Sequence, residues 1–153
     1  MHITKWGEYG ILCSLLLARR FGSGAVGASE VAELEGVPLD YTHQILHRLR
    51  KGGIVVSARG PHGGYALSRA PQEINLRQIM DAVEGDTFEV ICDHNPLDIQ
   101  GRCSPSAACA LRHVWHDLKV AVDGILESKT LQDLLASGSP DKLVTLEPRK
   151  SDG

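Results

Sequence analysis

One change of period, at Gly52-Gly53, restricts the fold of this 153-residue chain more than any other feature of its sequence. Before it, "LDYTHQILHRLRK" spaces Thr42, Ile45, Leu46 and Leu49 along one side of a helix predicted over 39–51. The other side carries Asp40, His43, Gln44, His47 and Arg48. After the glycines, "IVVSA" reads as a strand, "RGPHGG" as a turn and "YALS" as a returning strand. A helix therefore runs into a glycine-tipped hairpin with Arg59 and His62 at its tip.

The flanking elements are helical. Thr4 can cap a first helix to about residue 20, with Tyr9, Leu12, Cys13, Leu16 and Leu17 on one face. "FGSGAVGA" ends it, and a short second helix over about 29–34 turns Val31 and Leu34 inward before the turn "EGVP". Beyond the hairpin, residues 74–85 form a helix whose apolar side is Leu76, Ile79, Met80 and Val83. Residues 106–128 give the longest helical pattern: Leu111, Val114, Leu118, Ala121 and Ile125 are spaced 3, 4, 3, 4, and Trp115 and Val122 widen the seam. So wide a stripe on a long C-terminal helix calls for a second subunit. "LQDLL" is a short helix. The expected architecture is mostly α with a small β-wing: a winged helix-turn-helix over 1–85, a cysteine-bearing loop over 86–105, a dimerisation helix and short terminal helix over 106–137, and a polar, disordered tail over 138–153.

Charge is segregated along this frame. The net charge of −3 does not suggest a polyanion binder. Yet residues 41–70 carry Arg48, Arg50, Lys51, Arg59 and Arg69 with no Asp or Glu, and His43, His47 and His62 besides. Residues 71–100 invert the balance, with seven carboxylates against Arg77 alone. A basic segment inside an acidic chain is a footprint for a polyanion. The apolar run "ILCSLLLA" at 11–18 is too short to span a membrane, and its arginines follow it, the wrong order for a secretory signal. A cytoplasmic protein is expected.

Helix, short helix, tight turn, third helix and basic hairpin is the order of a winged helix-turn-helix. The second helix braces the third, which presents its outer face to the major groove. Gln44 can pair bidentately with adenine, Tyr41 can reach a phosphate, and His43 and His47 share that face. Arg48, Arg50 and Lys51 would neutralise backbone charge, and Arg59 on the wing suits a minor groove. For the third helix alone, an amphipathic helix with a solvated basic face is the simpler account; the full ordered set favours double-stranded DNA.

Three of the four cysteines fall in "CDHNPLDIQGRCSPSAAC", Cys92 to Cys109. Gaps of ten and five residues fit poorly with structural zinc, which uses closer pairs, and there is no C-x-x-C redox motif. Thiolates reaching in from a loop suit an iron–sulfur cluster. Cys109 opens the long helix, where the dipole also favours thiolate. Cys13 reads as a buried small hydrophobe.

The stretch "SLLLARRFGSGAVGASEVAELEGVPLDYTHQILHRLRKGGIVVSARGPHGGYALSRAPQEINLRQIMDAVEG", and "LRKGGIVVSARGPHGGYAL" within it above all, resembles the Rrf-type winged helix-turn-helix repressors, the IscR/NsrR/RirA group of iron–sulfur regulators. The resemblance covers roughly 1–137. It implies a homodimer on a pseudo-palindromic operator, with Tyr41, Gln44 and Arg59 on DNA. It also implies a cluster, 2Fe–2S or 4Fe–4S, held by Cys92, Cys103 and Cys109. For a fourth ligand it offers Glu8, at the place where some members supply a carboxylate from the partner's first helix. His113 is the other candidate; it stands one residue beyond the family's histidine position, which is Arg112 here. Two departures are plain: position 43 is His where one branch has Glu, and the first cysteine gap is longer.

Other readings stay open: a cluster-free regulator whose thiols sense oxidants, and a zinc-stabilised DNA-binding or interaction protein. An enzyme is not expected. No nucleophile–base pair or phosphate loop stands out, and "GPHGG" lacks nucleotide-binding spacing.

Overall fold

The computed structural model describes residues 4–85 and 110–138. Its elements are α1 (Lys5–Arg19), α2 (Ala28–Glu35), α3 (Leu39–Lys51), β1 (Val55–Ala58), β2 (Gly64–Leu67), a 3-10 turn (Pro71–Glu73), α4 (Leu76–Val83), α5 (Ala110–Ser128) and α6 (Leu131–Ser137).

Thr4 caps α1 as its sequence requires, its hydroxyl accepting from the Trp6 N–H at 3.1 Å. The helix is buried more widely than a single face: Cys13, Ser14, Leu15, Leu16, Leu17 and Ala18 are all inside. A helix apolar all round belongs in the middle of a fold, and α1 packs on α2, α3, α4, α6 and β2. In α2 the inward side is Ala28, Val31, Ala32 and Glu35, the last paired with Arg19 at 3.4 Å. That set corrects the expectation for Leu34, which is 54% exposed. Over two turns the apolar side is set by residues three, four and seven apart from Ala28, and Leu34 lies outside that arc.

α3 buries Thr42, Ile45, Leu46 and Leu49, the four residues its period selects. Each buried aliphatic side chain contributes about 2 kcal/mol. Gly53, at φ 73°, turns the chain out of α3, and the Ile54 N–H bonds the Leu49 carbonyl at 2.9 Å. β1 and β2 then pair antiparallel, Val55 with Leu67 through Ala58 with Gly64. Two strands alone are marginal in water. Here a bridge braces them: Val26 and Tyr65 exchange N–H···O bonds at 2.8 Å each. That bridge needs glycine next door. Gly64 has φ 150°, and a Cβ there would lie 2.3 Å from the Val26 carbonyl oxygen.

α4 starts on a reciprocal cap: Asn75 Oδ1 accepts from the Gln78 N–H at 2.9 Å, and Gln78 Oε1 from the Asn75 N–H at 3.1 Å. The end of α5 returns to this point. The Leu76 N–H bonds the Lys129 carbonyl at 2.8 Å, and the Leu131 N–H bonds the Ile74 carbonyl at 2.9 Å. Leu131 and Ile74 are both fully buried. Arg77 of α4 pairs with Asp81 at 3.0 Å and with Asp123 of α5. The foot of the long helix is thus fixed to the winged unit.

Candidate nucleic-acid interface

The exposed side of α3 carries Tyr41, His43, Gln44, His47, Arg50 and Lys51, and the turn beyond β1 carries Arg59 and His62, also exposed. The local chemistry accounts for the placement. Apolar residues at 42, 45, 46 and 49 pin one side of α3 to the core, so the intervening polar positions face outward. The wing tip is tight. Gly60 has φ 108°, and a Cβ on Gly63 would lie 2.5 Å from the Ala58 carbonyl oxygen.

The cations of this segment divide by role. Arg59 and Lys51 are exposed. Arg69 fastens the base of the hairpin, donating to the Gly53 carbonyl at 3.0 Å and the Glu73 carbonyl at 3.3 Å. Arg50 reaches Ser57 Oγ on β1 at 3.4 Å. Arg48, expected on DNA, donates to the Val83 carbonyl at 2.5 Å and lies 4.4 Å over the Trp6 ring. Tyr41 packs its ring on Trp6 at 5.1 Å and on Tyr9 at 5.8 Å. The face is therefore histidines, one amide and two outward cations, with an aromatic cluster along its edge.

Cys92, Cys103 and Cys109 lie outside the described residues. Cys13 is fully buried, and burial, reinforced by the negative charge of Glu35, pushes its thiol up to about 12. It is not a thiolate at neutral pH, in keeping with a core role. Glu8 is exposed in the first turn of α1, and His113 is exposed on α5. Among the described residues no three His, Cys, Asp or Glu side chains come together as a metal site.

Sequence reasoning missed the junction from which the cysteine segment departs. Glu84 Oε1 accepts from the Thr4 N–H at 3.0 Å, the Thr4 hydroxyl at 2.5 Å and the Gly7 N–H at 2.7 Å. A Cβ on Gly10 would lie 2.9 Å from Val83, and one on Gly52 2.6 Å from Ala82. The only signal available was the Gly7/Gly10 pair at helical spacing inside α1. Beside this junction, a cleft of about 570 Å³ is lined by His47, Arg48 and Lys51 on one wall and Asp81 and Glu84 on the other.

On α5 the anticipated seam is open in the single chain: Leu111, Val114, Trp115, Leu118 and Ile125 are between 42% and 63% exposed. Single exposed apolar residues need no explanation, but a stripe of them along one helix does.

A braced recognition helix followed by a basic two-stranded wing defines a winged helix-turn-helix DNA-binding protein, a regulator of transcription and not an enzyme. The sequence profile of the Rrf2 family, described as "Iron-dependent Transcriptional regulator", matches residues 3–137, and the chain belongs to that family. It is 32% identical over 143 residues to the HTH-type transcriptional regulator IscR of Photobacterium profundum, covering 94% of this chain and 80% of that one. Among solved structures it is similar to CymR, the global cysteine regulator of B. subtilis, with TM-score 0.75 and 28% identity over 91% of this chain and 99% of that one. It is also similar to T. potens IscR, with TM-score 0.72 and 29% identity over 91% and 89%.

Proposed function

We propose that this protein is a homodimeric, cytoplasmic transcriptional repressor whose grip on a pseudo-palindromic operator is switched by an iron–sulfur cluster. The observation that carries the reading is positional. The segment bearing three thiols leaves the described fold at Gly85, immediately after Glu84, where α1, α3 and α4 converge. Whatever binds Cys92, Cys103 and Cys109 acts on a point already bonded to the DNA-reading helix.

The donors suit such a group. Three cysteines in a polar segment supply thiolates, and Cys13, protonated and buried, does not compete. Glu8 from the partner's first helix or His113 would complete the set; both are exposed. When bound, the cluster supplies sensitivity to iron supply, oxidants or nitric oxide. The chain does the rest. α5 pairs with its copy through the Leu111-to-Ile125 stripe and spaces two recognition helices. Gln44, with His43 and His47, reads base edges, Tyr41 holds a phosphate, and Arg59 enters the minor groove.

The test is anaerobic purification with absorbance and iron-to-sulfide analysis. It is repeated for Cys92→Ala, Cys103→Ala and Cys109→Ala, and followed by operator binding with and without the cluster. The expected result is a coloured protein, colour lost in all three variants, and an affinity that depends on loading. Equal affinity in every state sinks the switch but leaves DNA binding standing. A second reading is favoured by the likeness to a cysteine regulator: a cluster-free switch in which the same thiols pair on oxidation. A colourless anaerobic protein with oxidant-dependent DNA binding supports that instead, and zinc without sulfide supports a zinc-stabilised form.

A further inference from the structure

Arg48 sits in the basic run of the recognition helix, where composition alone places it among the phosphate contacts. Its side chain is committed elsewhere. One N–H goes to the carbonyl of Val83, the last residue of α4, at 2.5 Å. The last carbonyls of a helix have no partner within it, and they form its negative end. A guanidinium placed there satisfies an orphan acceptor with a charge-assisted bond. The other flank of Arg48 lies 4.4 Å over the Trp6 ring of α1. Trp6 in turn packs against Tyr41, in the first turn of α3. The recognition helix is therefore held at two points along its length by one side chain of α1, and at one of them by the end of α4 as well.

The next residue completes the linkage. Glu84 accepts from the first N–H groups of α1, the complement of what Arg48 does for α4. The packing around both is close: Gly10 admits Val83, and Gly52 admits Ala82, with no room for a Cβ at either glycine. A shift of residues 83–85 moves α3 through Arg48 and α1 through Glu84, because nothing between them can compress.

We propose that Arg48 is a positioning residue that ties the DNA-reading helix to the root of the cysteine segment, and not a phosphate contact. Its role in transmitting the state of the thiols rests on the switch described above; its role in holding α3 does not.

The experiment uses the full chain, with and without its cluster. The probe is a duplex selected from a random-sequence pool by the wild-type protein. Affinity is measured by fluorescence anisotropy across a salt series for Arg48→Gln, Trp6→Leu, the double variant and Arg48→Lys. The expected result for Arg48→Gln is an unchanged slope of log K against log salt, with the loaded-to-stripped affinity ratio falling several-fold toward one. Trp6→Leu, which removes no charge, reproduces that fall. The double variant is no worse than the more affected single one, and Arg48→Lys restores part of the ratio. The proposal is overturned if Arg48→Gln lowers the slope by about 0.9, the value for one lost phosphate contact, while Trp6→Leu is silent. It is equally overturned if the two substitutions add independently. If the wild-type ratio is itself one, the switch fails. The salt slope and the Arg48–Trp6 cycle still decide whether Arg48 positions α3.

Discussion

Glu84 Oε1 accepts the Gly7 N–H at 2.7 Å across 77 residues of chain. The same oxygen takes the Thr4 N–H at 3.0 Å, so one carboxylate serves two of the unpaired donors at the start of α1 and meets the positive end of that helix. Removing it should cost more than a surface charge. Glu84→Ala is expected to destabilise the stripped protein by about 1–2 kcal/mol, lowering its melting temperature by about 3–6 °C. A melt within 1 °C or so of wild type would show that water replaces the carboxylate without loss.

Gly64 is required by the Val26–Tyr65 bridge. At φ 150°, and with the Val26 carbonyl oxygen 2.3 Å from any Cβ, Gly64→Ala strains the backbone and breaks the brace on the wing. The expected cost is about 3 kcal/mol, with loss of DNA affinity. Gly60→Ala is the control. It too has positive φ, 108°, but nothing lies within 4 Å, so it should cost only about 1 kcal/mol. Equal melting temperatures for the two variants would contradict the close approach.

How much of this was legible depends on the range of each interaction. Thr42, Ile45, Leu46 and Leu49 were readable because thirteen residues of helical period leave one solution. The hairpin was readable because glycines bracket an alternating run. Leu34 was misplaced because α2 has only eight residues, too few to fix a face, and a half-hidden Glu35 takes the inward position. The Val26 bridge is a single residue pair and leaves no pattern. Glu84 and Arg48 looked like ordinary surface charges because the groups that employ them are 77 and 35 residues away. The α5 stripe was plain in sequence and is exposed as expected; the three thiols lie outside the described residues.

Gln44 and Arg59 should fail in different ways. Gln44 faces outward from the middle of α3, and Gln44→Ala is expected to cost about 1–3 kcal/mol at one base position and to relax preference there. Arg59 lies on the exposed wing, and Arg59→Ala should weaken all sequences together and reduce the salt slope by about 0.9. Binding-site selection followed by a salt series separates the two. A narrowed salt slope for Gln44→Ala with unchanged preference would remove it from base reading.

Cys13 makes stability fall at high pH. Burial lifts its thiol from 9.0 to about 12. In the unfolded chain it ionises from pH 9.0 upward, whereas the folded chain keeps it protonated until about pH 12. The stabilisation is therefore whole below pH 9.0 and is lost between 9.0 and about 12, at about 1.4 kcal/mol per pH unit. Cys13→Ala should remove this share of the alkaline decline, seen as a shallower slope of unfolding free energy with pH. The same burial predicts that Cys13 is alkylated only on unfolding, which mass spectrometry of iodoacetamide-treated protein checks at that one residue.

The α5 stripe should be the dimer interface, and Leu118 its most informative residue. It stands mid-helix between Val114 and Ile125, 42% exposed in the single chain. Leu118→Glu places a charge where two apolar stripes would meet, and burying an unpaired carboxylate there is prohibitive. The charge does not disturb the monomer, because the side chain already faces outward and glutamate is a good helix former. The expected outcome is a folded monomer by sedimentation, with an unchanged helical signal. Its affinity for a two-half-site operator should fall about 100-fold or more, since each recognition helix then binds alone. Affinity for an isolated half-site should hardly move. A Leu118→Glu protein that still sediments as a dimer would place the subunit contact on another surface and remove α5 from the spacing of the recognition helices.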